Sequence, residues 1–322
     1  MLPTSSTSRN LPTKLIHSFG CNQGALRTVR FNSMSFLFIA DYGNNILDDG
    51  NYCLTGGVDK TVALWNPFKA TLLHSYTGCG GEIRALSSSG DNSMIIAGGT
   101  DKIATIFDVE SGKLLKRFRG HGSWINSVAF DDESSLAFSA GQEGLVYVWD
   151  LRDRKEIAQI LDEANDAVLC IDINGSQIAT GSADHRMRLY DVRQGRLSVV
   201  DAGESVTDVH ITDDNECILM SSMKQSIKVV DKSNGQTLAE YKGHSNEEFQ
   251  IECGILPSKD EVVSGSEDGY VYIYDFVAMN IIAKLDHSPA KFIHSITIHP
   301  KKAALITSAR DRVFVWTSED FI

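Results

Sequence analysis

Closely spaced cysteine pairs are missing from this sequence. It contains six cysteines, none of them in a C-x-x-C pair, and they are spread along the whole chain: Cys21, Cys53, Cys79, Cys170, Cys217 and Cys253. Structural zinc sites and small disulfide frameworks both need cysteines at short, regular spacings. The spacing therefore argues against either, and isolated thiols of this kind are typical of proteins in the reducing cytoplasm or nucleus.

Long apolar runs are also missing. No stretch approaches the roughly 18 consecutive apolar residues of a membrane-spanning helix. The first twelve residues, MLPTSSTSRNLP, lack the apolar segment of a secretory signal. We therefore expect no membrane association, and we predict that residues 1–12 form a disordered tail.

The sequence also has no excess of positive charge. Acidic residues outnumber basic ones by 42 to 30, which gives a net charge of −12, whereas binding to nucleic-acid phosphates needs a basic surface. Direct nucleic-acid binding is therefore not expected. The motifs of P-loops, dinucleotide sites, nucleophile elbows and zinc sites are absent as well. The sequence predicts a protein that is not an enzyme and carries no cofactor or metal.

What the sequence does contain is a repeat. Seven related stretches, from DKTVALW to DRVFVW, end at Trp65, Phe107, Trp149, Tyr190, Val230, Tyr274 and Trp316. The spacings between these residues are 42, 42, 41, 40, 44 and 42. Self-similarity at such a regular period indicates a repeat architecture.

Each repeat has the pattern of short strands joined by turns. LAFSAGQEGLVYVWD and EVVSGSEDGYVYIYD both show two alternating apolar runs around a Gly- and Asp/Glu-containing turn, as in a β-hairpin. Four strands in about 42 residues are typical of a β-propeller blade. We predict an all-β, seven-bladed propeller formed by residues 13–322. TKLIHSFG, residues 13–20, matches the fourth strands of other repeats and is predicted to close the last blade.

These repeats resemble those of the WD40 family. Gly-His pairs occur at residues 120–121 and 243–244, and Trp-Asp occurs at residues 149–150. The resemblance implies structural tetrads of His, Ser/Thr, Asp and Trp that link the strands of one blade. The tetrads it implies here are His121, Ser139, Glu143 and Trp149 in blade three, and His244, Ser264, Asp268 and Tyr274 in blade six. Partial sets are Thr55, Asp59 and Trp65; Thr180, Asp184 and Tyr190; and Thr307, Asp311 and Trp316.

The same residue types, His, Ser and a carboxylate, also make up hydrolase active sites. Their recurrence from blade to blade favours a structural role, because an active site is needed once and a packing device is needed in every blade. A buried histidine needs partners for both ring nitrogens, and the neighbouring hydroxyl and carboxylate provide them.

The first repeat is longer than the others. Phe31 and Thr55 are 24 positions apart, whereas the matching residues Phe130 and Ser139 are nine apart. The excess falls within residues 33–48, which we predict to be an insertion between the first two strands of blade one. Two explanations remain open: a docking peptide, suggested by the apolar stretch SFLFIA, and a retained intron in the gene model.

Aromatic residues recur just before the first strand of several blades. When the seven repeats are aligned, seven residues fall at matching positions, which we expect on one rim of the propeller: Ala25, Glu82, Trp124, Ala167, Ser205, Phe249 and Phe292. Exposed aromatic residues are typical anchors of protein interfaces. We predict that Trp124, Phe249 and Phe292, with the neighbouring Arg27, Arg84 and Arg310, form a partner-binding rim.

Much of the sequence from Leu15 to Trp316 resembles one WD40 family in particular. SGKLLKRFRGH, LDEANDAV, LAEYKGH and VVSGSEDG are similar to segments of the mitogen-activated protein kinase organiser, or WD repeat-containing protein 83, family. The resemblance implies a scaffold that assembles components of the extracellular-signal-regulated kinase cascade in the cytoplasm. It also implies association with spliceosomal proteins and pre-mRNA splicing in the nucleus. We expect a monomer within such larger complexes.

A second hypothesis rests on two short motifs. WDLR, residues 149–152, and YDVR, residues 190–193, resemble the W-D-x-R box of cullin-4 substrate receptors. The resemblance implies that Arg152 and Arg193 contact the adaptor of the ubiquitin ligase.

Overall fold

The computed structural model describes residues 9–32, 50–152, 157–290, 292–293 and 295–319. Within these ranges the chain forms 28 strands and no α-helix. The strands are arranged in seven four-stranded antiparallel sheets, each of which is one blade. The prediction of an all-β, seven-bladed propeller is confirmed.

The first four blades each run from an innermost to an outermost strand in chain order. Blade one contains β2 (Leu26–Phe31), β3 (Cys53–Gly57), β4 (Val62–Asn66) and β5 (Thr71–Tyr76). Blade two contains β6 (Ile83–Ser88), β7 (Met94–Gly99), β8 (Ile103–Asp108) and β9 (Leu114–Arg119). Blade three contains β10 (Ile125–Phe130), β11 (Leu136–Gly141), β12 (Val146–Asp150) and β13 (Ile157–Leu161). Blade four contains β14 (Val168–Asn174), β15 (Gln177–Ser182), β16 (Arg186–Asp191) and β17 (Arg196–Asp201).

The remaining blades follow the same order. Blade five contains β18 (Val206–Ile211), β19 (Cys217–Ser222), β20 (Ser226–Asp231) and β21 (Thr237–Tyr241). Blade six contains β22 (Cys253–Ile255), β23 (Glu261–Ser264), β24 (Tyr270–Asp275) and β25 (Ile281–Asp286). Blade seven contains β26 (Ser295–Ile298), β27 (Ala304–Ala309) and β28 (Arg312–Thr317), with β1 (Lys14–Gly20) as its outer strand.

The ring is closed by the amino-terminal strand. β1 pairs antiparallel with β28, from Lys14 opposite Thr317 to Gly20 opposite Arg312. Along the inner side, the first strand of each blade contacts that of the next, and β26 contacts β2. The pairing leaves no unpaired edge on β28, which would otherwise be open to other chains. The predicted closure by residues 13–20 is confirmed.

The hydrophobic core lies between the blades. One cluster joins Ile96 and Ile106 of blade two to Val128, Ala137 and Trp149 of blade three. Another joins blade seven to blade one. The middle strands are therefore buried on both faces, whereas outer strands such as β5 and β17 are largely exposed.

The antiparallel order defines two faces. The turn between the second and third strands and the loop that leads into the first strand lie together on one side, termed the upper face. The turns from the first to the second strand and from the third to the fourth lie on the lower face. A residue at the end of a strand can therefore be assigned to one of the two faces from the position of its strand in the blade.

The inner strands of blades one to five share an irregularity at the upper face. Their pairing register shifts by one residue directly after the first position. The extra residues are Arg27, Arg84, Asn126, Leu169 and Thr207. A β-bulge of this kind changes the direction of the side chain it contains. Two of the predicted rim arginines, Arg27 and Arg84, occupy bulge positions.

The predicted insertion, residues 33–48, lies outside the described residues. Its flanks are described: Phe31 pairs with Cys53, 22 positions later, whereas Phe130 pairs with Ala137, seven positions later. The additional residues therefore lie, in sequence, between β2 and β3. The two explanations of the insertion, a docking peptide and a retained intron, stay predictions.

Part of the predicted disordered tail is described. Arg9 forms an ion pair with Asp275 of blade six, and Leu11 packs against the cluster between blades six and seven. Pro12 is buried. Residues 9–12 therefore contact the propeller, because an apolar side chain and a cation both find partners there. Disorder of residues 1–8 stays a prediction that lies outside the described residues.

Candidate functional site

The polar residues of blade three form one continuous hydrogen-bonded chain. Trp149 Nε1 donates to Ser139 Oγ at 2.8 Å, and Ser139 Oγ lies 2.7 Å from His121 Nε2. His121 Nδ1 lies 2.5 Å from Glu143 Oε1, and the second oxygen of Glu143 accepts from the Ser123 amide at 2.7 Å. The four residues of the predicted tetrad connect the loop before β10 with strands β11 and β12 and the turn between them.

Ser139, His121 and Glu143 are hydrogen-bonded in the same order as the residues of a catalytic triad, but a substrate cannot reach them. Ser139 is completely buried and the side chain of His121 is 0% exposed. Burial lowers the pKa of His121, although Glu143 opposes the shift. The Ser139 oxygen is also occupied by the indole N–H. No substrate atom can approach the hydroxyl, so the geometry supports a structural role.

Blade seven contains a histidine that sequence analysis missed. His287 Nε2 lies 2.6 Å from Thr307 Oγ1, and Trp316 Nε1 donates towards both at 3.2 and 3.3 Å. His287 Nδ1 donates to the Leu285 carbonyl at 3.1 Å. Within the described chain the Asp311 side chain has no part in this network. The sequence held the information: His287 precedes Phe292 by five positions, as His244 precedes Phe249.

Blade one uses a glutamine where blade three uses a histidine. Trp65 Nε1 donates to Thr55 Oγ1 at 2.9 Å, and Thr55 donates to Gln23 Oε1 at 2.5 Å. The Gln23 amide donates to Thr61 Oγ1 at 3.0 Å, and Thr61 donates to Asp59 at 2.6 Å. The predicted residues Thr55, Asp59 and Trp65 thus belong to one chain. Gln23 and Thr61, which sequence analysis did not single out, complete it.

Blade six does not form the predicted tetrad. His244 Nδ1 lies 3.1 Å from the Tyr274 hydroxyl, but Ser264 donates to the neighbouring Gly265 carbonyl. Asp268 accepts from Tyr272 at 2.6 Å. The correction has a physical reason: the long tyrosine at position 274 reaches the histidine directly, and a second tyrosine takes the carboxylate.

Blade four also departs from the motif. Its carboxylate Asp184 forms two hydrogen bonds, of 2.6 and 3.1 Å, with the buried guanidinium of Arg188. Burial opposes ionisation of Asp184, but the hydrogen bonds from Arg188 and the Asn165 amide outweigh it and lower the pKa to about 2. Tyr190 donates to Glu163 at 2.9 Å. In blade four, Asp184 is therefore paired with an arginine of its own blade instead of a histidine.

The predicted aromatic rim lies on the upper face. Trp124 is 46% exposed and Phe249 is 39% exposed. The rings of Phe249 and Phe292 stack with centroids 4.8 Å apart and an interplanar angle of 11°. The structure thus brings the blade-six and blade-seven aromatics together as a stacked pair in which Phe249 is exposed and Phe292 is partly buried, and it places Trp124 in blade three.

The loop that carries Phe249 is held by one carboxylate. Glu267 Oε1 accepts three backbone hydrogen bonds, from the amides of Glu247, Glu248 and Phe249, at 2.9, 2.7 and 2.8 Å. The Glu267 amide in turn donates to the Ser245 carbonyl at 3.0 Å. A loop fixed in this way loses little conformational entropy when a partner binds.

The three rim arginines differ in their contacts. Arg27 forms an ion pair with Glu82. The guanidinium carbon of Arg84 lies over the Trp124 ring, 5.5 Å from its centre. Arg310 is exposed in the turn between β27 and β28, where its φ is 57° and its carbonyl accepts from the Leu26 amide at 2.6 Å.

The arginines of the two W-D-x-R-like motifs lie on the opposite, lower face. Arg152 follows β12 and its side chain is 70% exposed, with Nε 3.4 Å from Asp150 Oδ1. Arg193 follows β16 and is also exposed. The two arginines occupy equivalent positions in adjacent blades.

Charged pairs that sequence analysis did not anticipate lie at or beside the inner strands. Arg30 of blade one forms a bidentate pair with Glu252 of blade six at 2.7 and 2.8 Å. In blade five, His210 Nε2 lies 3.1 Å from Asp208 Oδ2. Burial disfavours the charged imidazole, but the charge of Asp208, its hydrogen bond and the charge of Asp172 outweigh burial and raise the pKa of His210 to about 9.

Asp208, His210 and Cys253 place three potential metal ligands within 4.8 Å of one another. The Asp208 oxygen that faces His210 also accepts from the Cys253 amide at 2.9 Å. Burial holds the pKa of the Cys253 thiol well above its usual value. The donors are thus engaged with each other, as in a hydrogen-bonded network.

Among the described residues, no helix is long and apolar enough to cross a membrane.

Comparison with known proteins agrees with this architecture. A family model of the WD domain, G-beta repeat matches residues 13–66, and a model of the nucleolar protein 10-like N-terminal domain matches residues 59–258. With seven four-stranded blades and the Trp–Ser/Thr links described above, the chain is a WD40-repeat β-propeller. Proteins of this class are typically non-enzymatic scaffolds for protein–protein interactions.

Full-length relatives narrow the class. WD repeat domain-containing protein 83 of Rattus norvegicus is 47% identical over 312 residues, which cover 97% of this chain and 94% of the relative. The Homo sapiens protein of the same name is 46% identical with the same coverage. A Dictyostelium discoideum homolog is 30% identical over 330 residues, 93% of this chain and 96% of the relative. The chain belongs to the WD repeat domain-containing protein 83 family, and the resemblance found in the sequence is confirmed.

Proposed function

We propose that the protein is a non-catalytic scaffold that captures partner proteins on its upper face. The observation that carries the proposal is the exposed Phe249 ring, which stacks on the partly buried Phe292 and lies on a loop that Glu267 fixes through three hydrogen bonds. An exposed aromatic ring stabilises an interface by burying apolar area on binding. Trp124 adds a second anchor on the same face.

The proposed partners follow from family membership. We infer that the protein assembles components of the extracellular-signal-regulated kinase cascade in the cytoplasm and associates with spliceosomal proteins in the nucleus. The propeller acts as a monomer within these complexes, without a cofactor and without direct nucleic-acid contact. The acidic net charge of −12 supports the last point.

Affinity purification with mass spectrometry tests this proposal. The tagged protein is purified separately from nuclear and cytoplasmic fractions, beside Trp124→Ala, Phe249→Ala and the control Leu238→Ala. Leu238 is 54% exposed on the outer strand β21, so its substitution removes an exposed apolar side chain away from the rim. We expect kinases and their activators, splicing factors, or both with the wild type and the control, and their loss with both rim variants. Equal recovery by all four proteins contradicts the proposed rim.

A second function is supported by the positions of Arg152 and Arg193. Both side chains are exposed on the lower face, so a ligase adaptor and an upper-face partner can bind at the same time. We propose adaptor binding for a cullin-4 ubiquitin ligase as the alternative function. The double variant Arg152→Ala/Arg193→Ala then loses adaptor co-purification, while Arg196→Ala, an exposed arginine at the start of β17, retains it. Absence of adaptor from the wild-type preparation excludes this function.

A further inference from the structure

Arg84 lies on the upper face, with its guanidinium over the Trp124 ring. Arg84 is partly buried, yet it forms no hydrogen bond or ion pair with any residue that the structure describes. Other arginines that are buried or partly buried are paired: Arg30 with Glu252 and Arg188 with Asp184. Burying a charge without a partner costs free energy, so the position of Arg84 requires an explanation.

The β-bulge at the start of β6 determines where Arg84 points. It occupies the extra position between Ile83 and Ala85, and its guanidinium lies over Trp124 of the next blade. Burial lowers the pKa of Arg84, Glu82 opposes the shift and Arg27 adds to it. The pKa of Arg84 is thus lowered mainly because its guanidinium is partly withdrawn from water.

Three carboxylates on the upper face of blades two and three are already engaged with other groups. Glu82 forms the ion pair with Arg27. Asp101 accepts from the Gly80 and Ile103 amides at 2.7 and 3.2 Å. Glu143 belongs to the blade-three chain.

A second cation lies beside the same loop. Lys102 Nζ donates to the Gly122 carbonyl, two residues before Trp124, at 2.6 Å. The surface formed by Arg27, Glu82, Arg84, Lys102 and Trp124, called the Arg84 patch, thus carries three cations and one anion. On a chain with a net charge of −12, it is complementary to a negatively charged partner.

Arg84 and Trp124 together offer two kinds of contact. A planar guanidinium binds a carboxylate through two parallel hydrogen bonds. The Trp124 ring, 46% exposed, offers apolar area directly beside it. The guanidinium and the ring together are complementary to a ligand in which a carboxylate lies next to an apolar side chain. A ligand with only one of these two groups would use only half of the surface.

We propose that the Arg84 patch binds an acidic segment of a partner protein. An Asp or Glu carboxylate of the segment pairs with the Arg84 guanidinium, and an adjacent aromatic or aliphatic side chain packs on Trp124. This proposal rests on the proposed function, because it names the chemistry of a partner that the upper face captures.

Selection from a random peptide library tests the chemistry. A phage-displayed library of random dodecapeptides is selected on the full-length wild-type protein, and the enriched peptides are synthesised with a fluorescein label. We expect the enriched sequences to share an Asp or Glu next to an aromatic or aliphatic residue. Enrichment of peptides without an acidic residue, or no enrichment at all, overturns the proposal.

Binding of the synthetic peptide is then measured by fluorescence anisotropy. Arg84→Gln should weaken binding by roughly 10- to 100-fold, the value expected for a lost hydrogen bond to a charged group. Arg84→Lys keeps the positive charge but loses the planar guanidinium, so its affinity for the peptide should lie between those of the wild type and Arg84→Gln. Arg186→Gln is the matched control, since Arg186 is exposed at the upper end of blade four, and it should bind as the wild type does. Wild-type affinity should also fall with added salt.

Two results separate this proposal from the proposed function. If Arg84→Gln binds the peptide like the wild type, or if Arg84 is instead required for binding a fluorescein-labelled uridine oligonucleotide, the acidic-segment proposal is wrong. Partner capture that is lost in Phe249→Ala and unaffected in Arg84→Gln leaves the scaffold function intact and overturns only the chemistry assigned to the Arg84 patch.

Discussion

Phe118 stacks on Trp149, with ring centroids 4.9 Å apart and an interplanar angle of 17°. Tyr147 stacks on the same indole at 5.1 Å and 11°. The indole is therefore held by its neighbours in one orientation, and that orientation directs its N–H at Ser139. Packing and hydrogen bonding fix the same geometry, so the polar chain of blade three is part of the core.

Ser139→Ala should destabilise the protein by about 2–3 kcal/mol, because it leaves the Trp149 N–H and His121 Nε2 buried without their partner. Urea unfolding followed by tryptophan fluorescence measures the change. Ser198→Ala, an exposed serine on β17, is the control and should change stability by less than about 0.5 kcal/mol. Equal stability of the two variants would argue against a structural quartet.

Stability should decrease as the pH falls from about 6.5 to 4. Burial lowers the pKa of His244 and of His287 to about 4. The folded protein therefore binds fewer protons than the unfolded chain, whose histidines titrate near 6.5, and acid favours unfolding. At about 1.4 kcal/mol per pKa unit, the shift of each histidine corresponds to a loss of folding stability on the order of 3 kcal/mol between these pH values. Urea unfolding at pH 7, 6 and 5 measures the slope, and His287→Gln should flatten it. A flat profile in the wild type contradicts the prediction.

His210 should give the opposite dependence at alkaline pH. Its pKa is raised to about 9 because Asp208 and Asp172 outweigh the effect of burial. The folded protein therefore holds a proton that the unfolded chain loses near pH 6.5, and this stabilisation is complete below that value and lost as the pH rises through 9. His210→Gln should remove the loss of stability between pH 7 and 9. NMR titration of the His210 ring offers an independent measurement, and a pKa near 6.5 would refute the assignment.

Glu267→Ala should release the loop that carries Phe249. Three amides lose their acceptor at once, so hydrogen exchange of Glu247, Glu248 and Phe249 should become faster by at least about tenfold, the factor that corresponds to 1.4 kcal/mol. Exchange in the middle of β24 should not change. Partner capture should weaken together with loop order. Unchanged protection of the three amides would show that Glu267 is not the residue that holds the loop.

Deletion of the closing strand should affect the protein far more than deletion of the tail before it. Removal of residues 1–20 takes away β1 and leaves β28 as an exposed edge, so we expect aggregation and a large loss of stability. Removal of residues 1–10 takes away the Arg9–Asp275 ion pair, which is partly exposed and contributes little. Urea midpoints and sedimentation profiles compare the two proteins. Similar behaviour of both would argue against closure by β1.

The sequence was sufficient for the fold because each blade repeats the same local pattern. The seven third strands end at residues whose spacing varies only between 40 and 44, and alternating runs around polar turns define the hairpins. The closing strand was also predictable, since residues 13–20 match the outer strands of other blades. Both features follow from the spacing and alternation of residues along the chain, which can be read from one sequence.

The candidate site was only partly predictable, because side chains of different type make the same hydrogen bonds. Gln23 replaces a histidine in blade one, and the Arg188–Asp184 pair replaces it in blade four. Neither substitution is part of the repeat pattern. The direction of Arg84 depends on a register shift between β6 and β7, which alternation of apolar and polar residues does not reveal.

The pairing of β1 with β28 also has a consequence for biosynthesis. The two strands of this pair are nearly 300 positions apart in the sequence, so β1 emerges from the ribosome long before its partner has been translated. Until β28 has been translated, β1 lacks the strand with which it pairs. A product that terminates before β28 therefore cannot close the last blade with β1.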